Sequence, residues 1–281
     1  MPWRPELEPR RAVPPAAGGE QDDPRLPFFE GLRSREPEAL AGSFAGAPAV
    51  DDPRHGHVEG REAFVEYVVA MREWFVDGTA GVAEPIRVTR TPERRVEEVS
   101  VKLRGDHPEL PVAVVADLAE DGRLRAIRVY HSLWPLTGAH RVRSPLLPRD
   151  PSIELEGAPA DYQRALAAGD AEAVVAAFES DGVVREPSGG PYTYRGEAHR
   201  KIYDLMFASG GGIPLEFCTV TDDGVACAIE FNAVRWGKDQ IPPQAGVAVY
   251  ERGDTGRLAA ARIYDDVTPP EASDSSADAG T

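Results

Sequence analysis

The nine residues GRLRAIRVY at Gly122–Tyr130 return as GRLAAARIY at Gly256–Tyr264, a shift of 134 residues. The same shift places EPEALAGSF at Glu36–Phe44 on DAEAVVAAF at Asp170–Phe178. A spacing that is kept at both ends of about 95 residues indicates an internal duplication, because unrelated segments do not keep a common register over such a length. The fold of one copy therefore predicts the fold of the other.

Each copy begins with helical patterns and ends with β-rich alternation. The longest helix of the first copy carries apolar residues at i, i+3, i+4, i+7, i+10 and i+11, which is one face of an α-helix: Phe64, Tyr67, Val68, Met71, Trp74 and Phe75. Four alternating segments follow in each copy, separated by turns rich in Pro, Gly and Asp. Helices first and strands last predict an α+β fold, with helices covering one face of a sheet.

These patterns divide the chain into two domains and three connecting or terminal segments. We expect a disordered N-terminal tail over 1–24, a first domain over 25–134 and a proline-rich linker over 135–157. A second domain is expected over 158–268, followed by a disordered acidic tail over 269–281.

Charge and hydropathy restrict the partners. The chain has 31 Lys+Arg and 47 Asp+Glu, a formal net charge of −16, which repels nucleic acid and anionic lipid. No segment has the roughly 18 continuous apolar residues of a membrane span, and no secretory signal pattern opens the sequence. We therefore expect a cytoplasmic protein that acts on a small molecule, without a nucleic-acid or membrane partner.

The repeat resembles the NTF2-like superfamily, and within it the SnoaL-like branch. The residues that carry the resemblance are an acid-Pro pair on the first strand (Asp52-Pro53 and Glu186-Pro187) and a glycine that opens the long helix (Gly60 and Gly196). A closing strand that ends Tyr-His131 or Tyr-Asp265 adds to it. The resemblance implies two tandem cystatin-like cones, each with N-terminal helices packed on a curved antiparallel sheet. It also implies that the two copies form an intrachain pseudo-dimer, which could pair further as a homodimer.

In function, the resemblance implies a cofactor-free enzyme of specialised metabolism: an isomerase, cyclase, dehydratase or epoxide hydrolase acting on an apolar molecule. Carboxylates in a dry cone have raised pKa values and can exchange protons near neutral pH. The candidate catalytic residues are Asp265, Glu230, Glu186 and His131. The candidate substrate-binding residues are Tyr192, Tyr194, Asn232, Trp236, Tyr264, Asp52 and Tyr130.

Other interpretations stay open from the sequence alone. Asp265 and Asp266 could form a solvated strand end, and Glu230 could pair with Arg235 or Arg262. The same fold hosts proteins without activity, so a small-molecule-binding or assembly protein is the alternative function. The His55-Gly-His57 motif is too weak a signal to predict a metal site. Nucleotide-binding and serine-hydrolase motifs do not occur.

Overall fold

The computed structural model of the chain describes residues 28–76, 80–105, 109–186 and 193–267. The tails predicted to be disordered lie outside these residues. The first half contains α1 (Phe28–Ser34), α2 (Pro37–Gly42), β1 (Ala49–Asp52), β2 (Gly56–Glu59), α3 (Arg61–Val76), β3 (Ala80–Arg90), β4 (Arg94–Leu103), β5 (Leu110–Leu118), β6 (Leu124–Tyr130) and α4 (Trp134–Thr137).

The second half repeats this order of elements. It contains α5 (Gly157–Ala168), α6 (Ala171–Ala176), β7 (Phe178–Arg185), β8 (Thr193–Arg195), α7 (Gly196–Met206), β9 (Leu215–Asp222), β10 (Ala226–Trp236), β11 (Asp239–Arg252) and β12 (Leu258–Tyr264). The duplication is therefore present in the order of the elements as well as in the sequence.

Each half forms one six-stranded sheet. The strand orders are β2-β1-β6-β5-β4-β3 and β8-β7-β12-β11-β10-β9, which correspond strand for strand. The prediction of antiparallel sheets was wrong in one respect, because both sheets are mixed. β1 pairs parallel with β6 (Val50 opposite Ile127), and β7 pairs parallel with β12 (Val184 opposite Ala261). A parallel pair is possible because a long connection, which includes α3 in the first half and α7 in the second, separates the two strands along the chain.

The helices cover one face of each sheet and close a separate core there. In the first half the predicted face of α3 is buried, with Phe64, Tyr67 and Val68 each at most 3% exposed. In the second half Tyr162 of α5 and Tyr203 of α7 lie in the equivalent core. Within the described residues, no helix is long and apolar enough to cross a membrane.

The opposite faces of the two sheets pack against each other within the chain. A third apolar cluster draws on both halves: Val96, Ala113, Val115, Tyr130, Ala226, Ala228, Ala245, Val247, Val249 and Tyr264. Both sheets are therefore covered on two sides, by helices and by each other, which explains why their central strands are almost continuously buried.

A buried ion pair crosses this sheet-to-sheet interface. Arg128 donates from Nε and Nη2 to the carboxylate of Glu230 at 2.6 and 2.9 Å. Tyr130 and Thr219 donate from their hydroxyl groups to the same carboxylate at 2.7 and 2.6 Å. The Glu230 and Arg128 side chains are only 2% and 4% exposed. Four donors thus compensate for the removal of the carboxylate from water.

The repeat generates a second ion pair, in which the second half supplies the arginine and the first half supplies the glutamate. Arg262, the counterpart of Arg128, donates from Nε and Nη2 to Glu98 at 2.7 and 2.9 Å. Tyr264, the counterpart of Tyr130, donates to the same carboxylate at 2.7 Å. The interface therefore has an approximate twofold symmetry inside a single chain.

Candidate functional site

A cleft of about 310 Å³ lies where the two halves and their connecting segment meet. From the first half it is lined by Asp52, Tyr130 and His131. The segment 141–146 forms another wall, and Asp265 reaches the cleft from the second half. The volume lies at the lower end of the range for small-molecule pockets. Four of the residues selected from the sequence are thus brought together at one place.

His131 is the first titratable group of the cleft. It follows the end of β6, its side chain is buried, and burial lowers its pKa although the nearby Asp52 opposes this shift. Its Nδ1 lies 3.0 Å from the carbonyl oxygen of Ser132. A carbonyl oxygen only accepts, so Nδ1 carries the proton and Nε2 keeps its lone pair. The imidazole is therefore neutral at pH 7 and can accept a proton at Nε2.

Asp52 is a permanently charged neighbour of this imidazole. Its Oδ1 accepts the backbone N–H groups of Arg54 and His55 at 2.8 and 3.1 Å, and its Oδ2 accepts the hydroxyl of Tyr67 at 3.2 Å. Burial opposes its ionisation, but the hydrogen bond from the His55 ring and the other donors lower the pKa of Asp52 to about 2. A carboxylate held in this way stabilises an imidazolium at His131 without itself taking up a proton.

Glu186 and Asp265 occupy the equivalent positions of the second half. Burial raises the pKa of Glu186 to about 8, and the charge of Asp265 adds to this shift. Burial likewise raises the pKa of Asp265 to about 7, against a weak hydrogen bond from the backbone of Val267. Because each of these pKa values lies near neutral pH, both carboxyl groups are partly protonated there. One half thus offers an imidazole with a fixed carboxylate, and the other a pair of carboxyl groups.

The raised pKa values predict that this pair destabilises the folded chain at high pH. Both pKa values lie above the ordinary values of 4.5 and 3.8, so between about pH 4 and 8 the folded state binds more protons than the unfolded state. Their contribution is complete below pH 4 and is lost as the pH rises through 7 to 8. Since one pKa unit corresponds to about 1.4 kcal/mol and both groups keep their protons up to about pH 7 to 8, the Glu186→Gln/Asp265→Asn variant should lose several kcal/mol less stability than the wild type between pH 5 and 8.5.

Urea denaturation at the two pH values measures this difference. Glu197→Gln is the control, because Glu197 is an exposed partner of Lys201 on α7. An equal pH dependence in the wild type and the double variant would contradict the prediction.

The interior of the second half is closed by hydrogen-bonded rings. The hydroxyl groups of Tyr162 and Tyr203 lie 2.8 Å apart, and Gln163 donates to the hydroxyl of Tyr250 at 2.5 Å. The charge of Glu186 contributes to the raised pKa values of all three tyrosines. Glu186 therefore lies close enough to this layer for its charge to act on all three hydroxyl groups.

Arg143 of the connecting segment and Asp266 after β12 complete the surroundings of the cleft. Arg143 places its guanidinium 5.0 Å from the ring centre of Tyr130 and donates to the carbonyl oxygen of Val129. Asp266 accepts from Ser132 Oγ at 2.5 Å and from the backbone N–H of Arg141 at 2.8 Å. Asp266 thus fixes the segment that forms one wall of the cleft. It is buried, so this part of the strand end is not solvated.

The remaining candidates lie elsewhere. Glu230 and Tyr264 lie in the sheet-to-sheet interface, where Glu230 pairs with Arg128 rather than with Arg235 or Arg262. The other three described candidates contact the connecting segment or the core of the second half: Asn232, Trp236 and Tyr194. Tyr192 lies outside the described residues.

Both histidines of the His55-Gly-His57 motif lie within hydrogen-bonding distance of carboxylates on β1. His57 Nδ1 lies 2.9 Å from Asp51, and His55 Nδ1 lies 3.1 Å from Asp52. Among the residues that the structure describes, no group of three His, Cys, Asp or Glu side chains is placed to hold a metal ion.

Comparison with known proteins concerns the fold. No protein-family model matches the sequence, and no curated protein matches it. A cystatin-fold protein from Novosphingobium aromaticivorans matches with 18% identity over 38% of this chain and 93% of its own, with a TM-score of 0.33. An LEH-like epoxide hydrolase of M. tuberculosis matches with 25% identity over 39% and 80%, with a TM-score of 0.32.

An NTF2-like protein of unknown function from Cytophaga hutchinsonii matches with 13% identity over 41% of this chain and 94% of its own, with a TM-score of 0.31. Each of these structures covers about two fifths of this chain. The duplication itself is shown by the matching strand orders of the two six-stranded sheets.

Proposed function

We propose that the chain is a cofactor-free enzyme that transfers protons on a small molecule bound in the cleft, as an isomerase, cyclase, dehydratase or epoxide hydrolase does. The observation that carries this proposal is that His131 and Asp265 line the same cleft. They are equivalent positions of the duplication, and burial lowers the pKa of His131 and raises the pKa of Asp265 to about 7. A base and an acid at one site are the requirement for this chemistry.

His131 acts as the base in this proposal. Its Nε2 removes a proton from carbon or from an attacking hydroxyl group, and the imidazolium that forms is stabilised by Asp52. Because Asp52 stays ionised, with a pKa of about 2, the proton remains on the imidazole until it is returned. Asp52 is thus a positioning residue that acts through His131.

Asp265 acts as the acid. With a pKa of about 7 it is partly protonated at neutral pH and can donate to a carbonyl or epoxide oxygen. Glu186, with a pKa of about 8, replaces the proton from inside the second half. The proton balance closes, because the proton taken by His131 returns to product or solvent and Asp265 is reprotonated by Glu186 or water.

The lining of the cleft defines the class of ligand. Tyr130, Leu133 and Leu146 provide apolar surface, while the guanidinium of Arg143 lies over the Tyr130 ring. This combination suits a compact apolar molecule that carries an oxygen function, such as a ketone, an enone or an epoxide.

An isotope screen tests the proposal. The wild type is incubated with a panel of small ketones and epoxides in D₂O and in H₂¹⁸O, and NMR and mass spectrometry detect incorporated deuterium or oxygen-18. We expect turnover that falls at least tenfold in Ser144→Trp, because Ser144 is exposed and lines the cleft. Pro148→Trp, on the same segment but outside the cleft, is the matched control. Equal turnover in the two variants, or none in the wild type, would overturn the proposal.

The alternative is a binding protein without catalysis. It is favoured by the tyrosine layer of the second half, since three hydrogen-bonded rings fill the interior that a ligand would otherwise enter. In the same screen this function predicts saturable binding in the cleft without isotope incorporation. For either function we propose a small molecule as the partner, because the net charge of −16 disfavours nucleic acid. We also propose that the protein is cytoplasmic.

A further inference from the structure

A second, smaller cavity lies inside the first half, at the other end of its sheet. Its walls include Arg95 at the start of β4 and Leu124 at the start of β6, whereas His131 follows the end of β6. The helices α1 and α2 cover it. Its volume is about 30 Å³, enough for about two water molecules or one small planar ion.

The cavity is apolar except for one group of charged and hydroxyl side chains. Arg35, Ser43, Arg95 and Glu97 line it together, among rings such as Phe44. Glu97 accepts the backbone N–H of Phe28 at 2.5 Å, which fixes this carboxylate at the wall.

Arg35 has unused hydrogen-bonding capacity that faces this space. Its side chain lines the cavity, the residue is 8% exposed, and Nη1 donates to Ser43 Oγ at 3.2 Å. Its Nε and Nη2 are buried and have no acceptor among the described residues. Buried guanidinium N–H groups without an acceptor are costly, so an occupant that accepts from both is strongly favoured.

The two free N–H groups form the edge of the guanidinium that matches a carboxylate. The same chain shows this match twice, because Arg128 binds Glu230 and Arg262 binds Glu98 through Nε and Nη2. In those pairs the N···O distances are 2.6 to 2.9 Å. Two parallel bonds from one edge give both affinity and selectivity for planar oxyanions.

We propose that this cavity is a binding site for a small carboxylate, of the size of formate or acetate, held by the Nε/Nη2 edge of Arg35. One carboxylate pairs with the Arg35 guanidinium and accepts from both of its buried donors, Nε and Nη2. Its methyl group or hydrogen faces the surrounding rings. The site is distinct from the cleft, and none of its polar residues takes part in the proposed proton transfer.

Binding of ¹³C-labelled formate and acetate to the full chain, followed by NMR titration at constant ionic strength, tests this proposal. We expect saturable binding at one site in the wild type, weakened at least tenfold in Arg35→Met. The control is Arg164→Met, since Arg164 is exposed and pairs only with Asp161 within its own helix; its affinity should equal that of the wild type.

Arg35→Lys keeps the positive charge but removes the two parallel N–H donors of the guanidinium. It still tests the proposal if Arg35→Met does not fold. In this variant we expect the preference for formate over chloride to fall at least fivefold. No saturable binding in the wild type, equal affinity in Arg35→Met, or equal affinity for chloride and formate in the wild type would each overturn the proposal.

Discussion

Replacement of Glu230 by alanine is expected to lower the free energy of unfolding by about 3–5 kcal/mol, the cost of leaving one member of a buried ion pair without its partner. The reason is geometric. Glu230 accepts from Arg128, Tyr130 and Thr219, and all three donors lose their acceptor in the variant. The Arg128 side chain is 4% exposed, so water does not replace the carboxylate fully.

Equilibrium urea denaturation, monitored by fluorescence, measures this loss. The matched control is Glu197→Gln on α7, where the partner Lys201 is exposed and no measurable change is expected. The repeat offers a second test, because Glu98→Ala should cost a similar amount through Arg262 and Tyr264. A Glu230→Ala protein as stable as the control would show that the ion pair does not hold the halves together.

Replacement of Asp265 by asparagine is expected to reduce kcat/KM by a factor of about 10²–10⁴, the typical contribution of a general acid or base. Asparagine keeps the shape and the hydrogen-bonding capacity of the side chain but cannot donate a proton. The substrate is the one that the isotope screen identifies. The control is Asp204→Asn, because Asp204 is an exposed partner of Arg200.

A carboxyl titration by ¹³C NMR accompanies this measurement and separates a chemical role from a structural one. Asp265 raises the pKa of Glu186, which is about 8 in the wild type, so Asp265→Asn should lower the pKa of Glu186 while the fold persists. Unchanged kcat/KM in a folded variant would remove Asp265 from the mechanism, and an unchanged pKa of Glu186 would show that the two carboxyl groups are not coupled.

Much of the fold follows from the sequence because the duplication fixes it twice. The apolar face predicted for α3 is buried from Phe64 to Phe75, and β10 shows the alternation expected of the β-rich segments. Cys227, Ile229 and Phe231 lie in the core under the helices, while Glu230 points the other way. The parallel pairs could not be predicted in this way, since periodicity describes one strand and not its neighbour.

The site was predictable only in part, for a similar reason. Alternation places Glu230 on one face of β10 but does not reveal that the other sheet covers that face. Asp52, His131 and Asp265 were selected because the resemblance to the NTF2-like superfamily implies that the acid-Pro pair and the residue after the closing Tyr lie at the pocket. Arg143 and Arg35 carry no local signal, because their roles depend on segments that meet only in three dimensions.

The exchanged arginine–glutamate pairs have a consequence for how the two copies can diverge. Each half supplies one acid and one base to the other, so a substitution at Arg128 strands Glu230, and one at Arg262 strands Glu98. Within each pair, the two positions can therefore change only together. The residues that follow β6 and β12 do not belong to these ion pairs. One copy can therefore carry histidine there and the other aspartate, while the sheet-to-sheet interface stays the same.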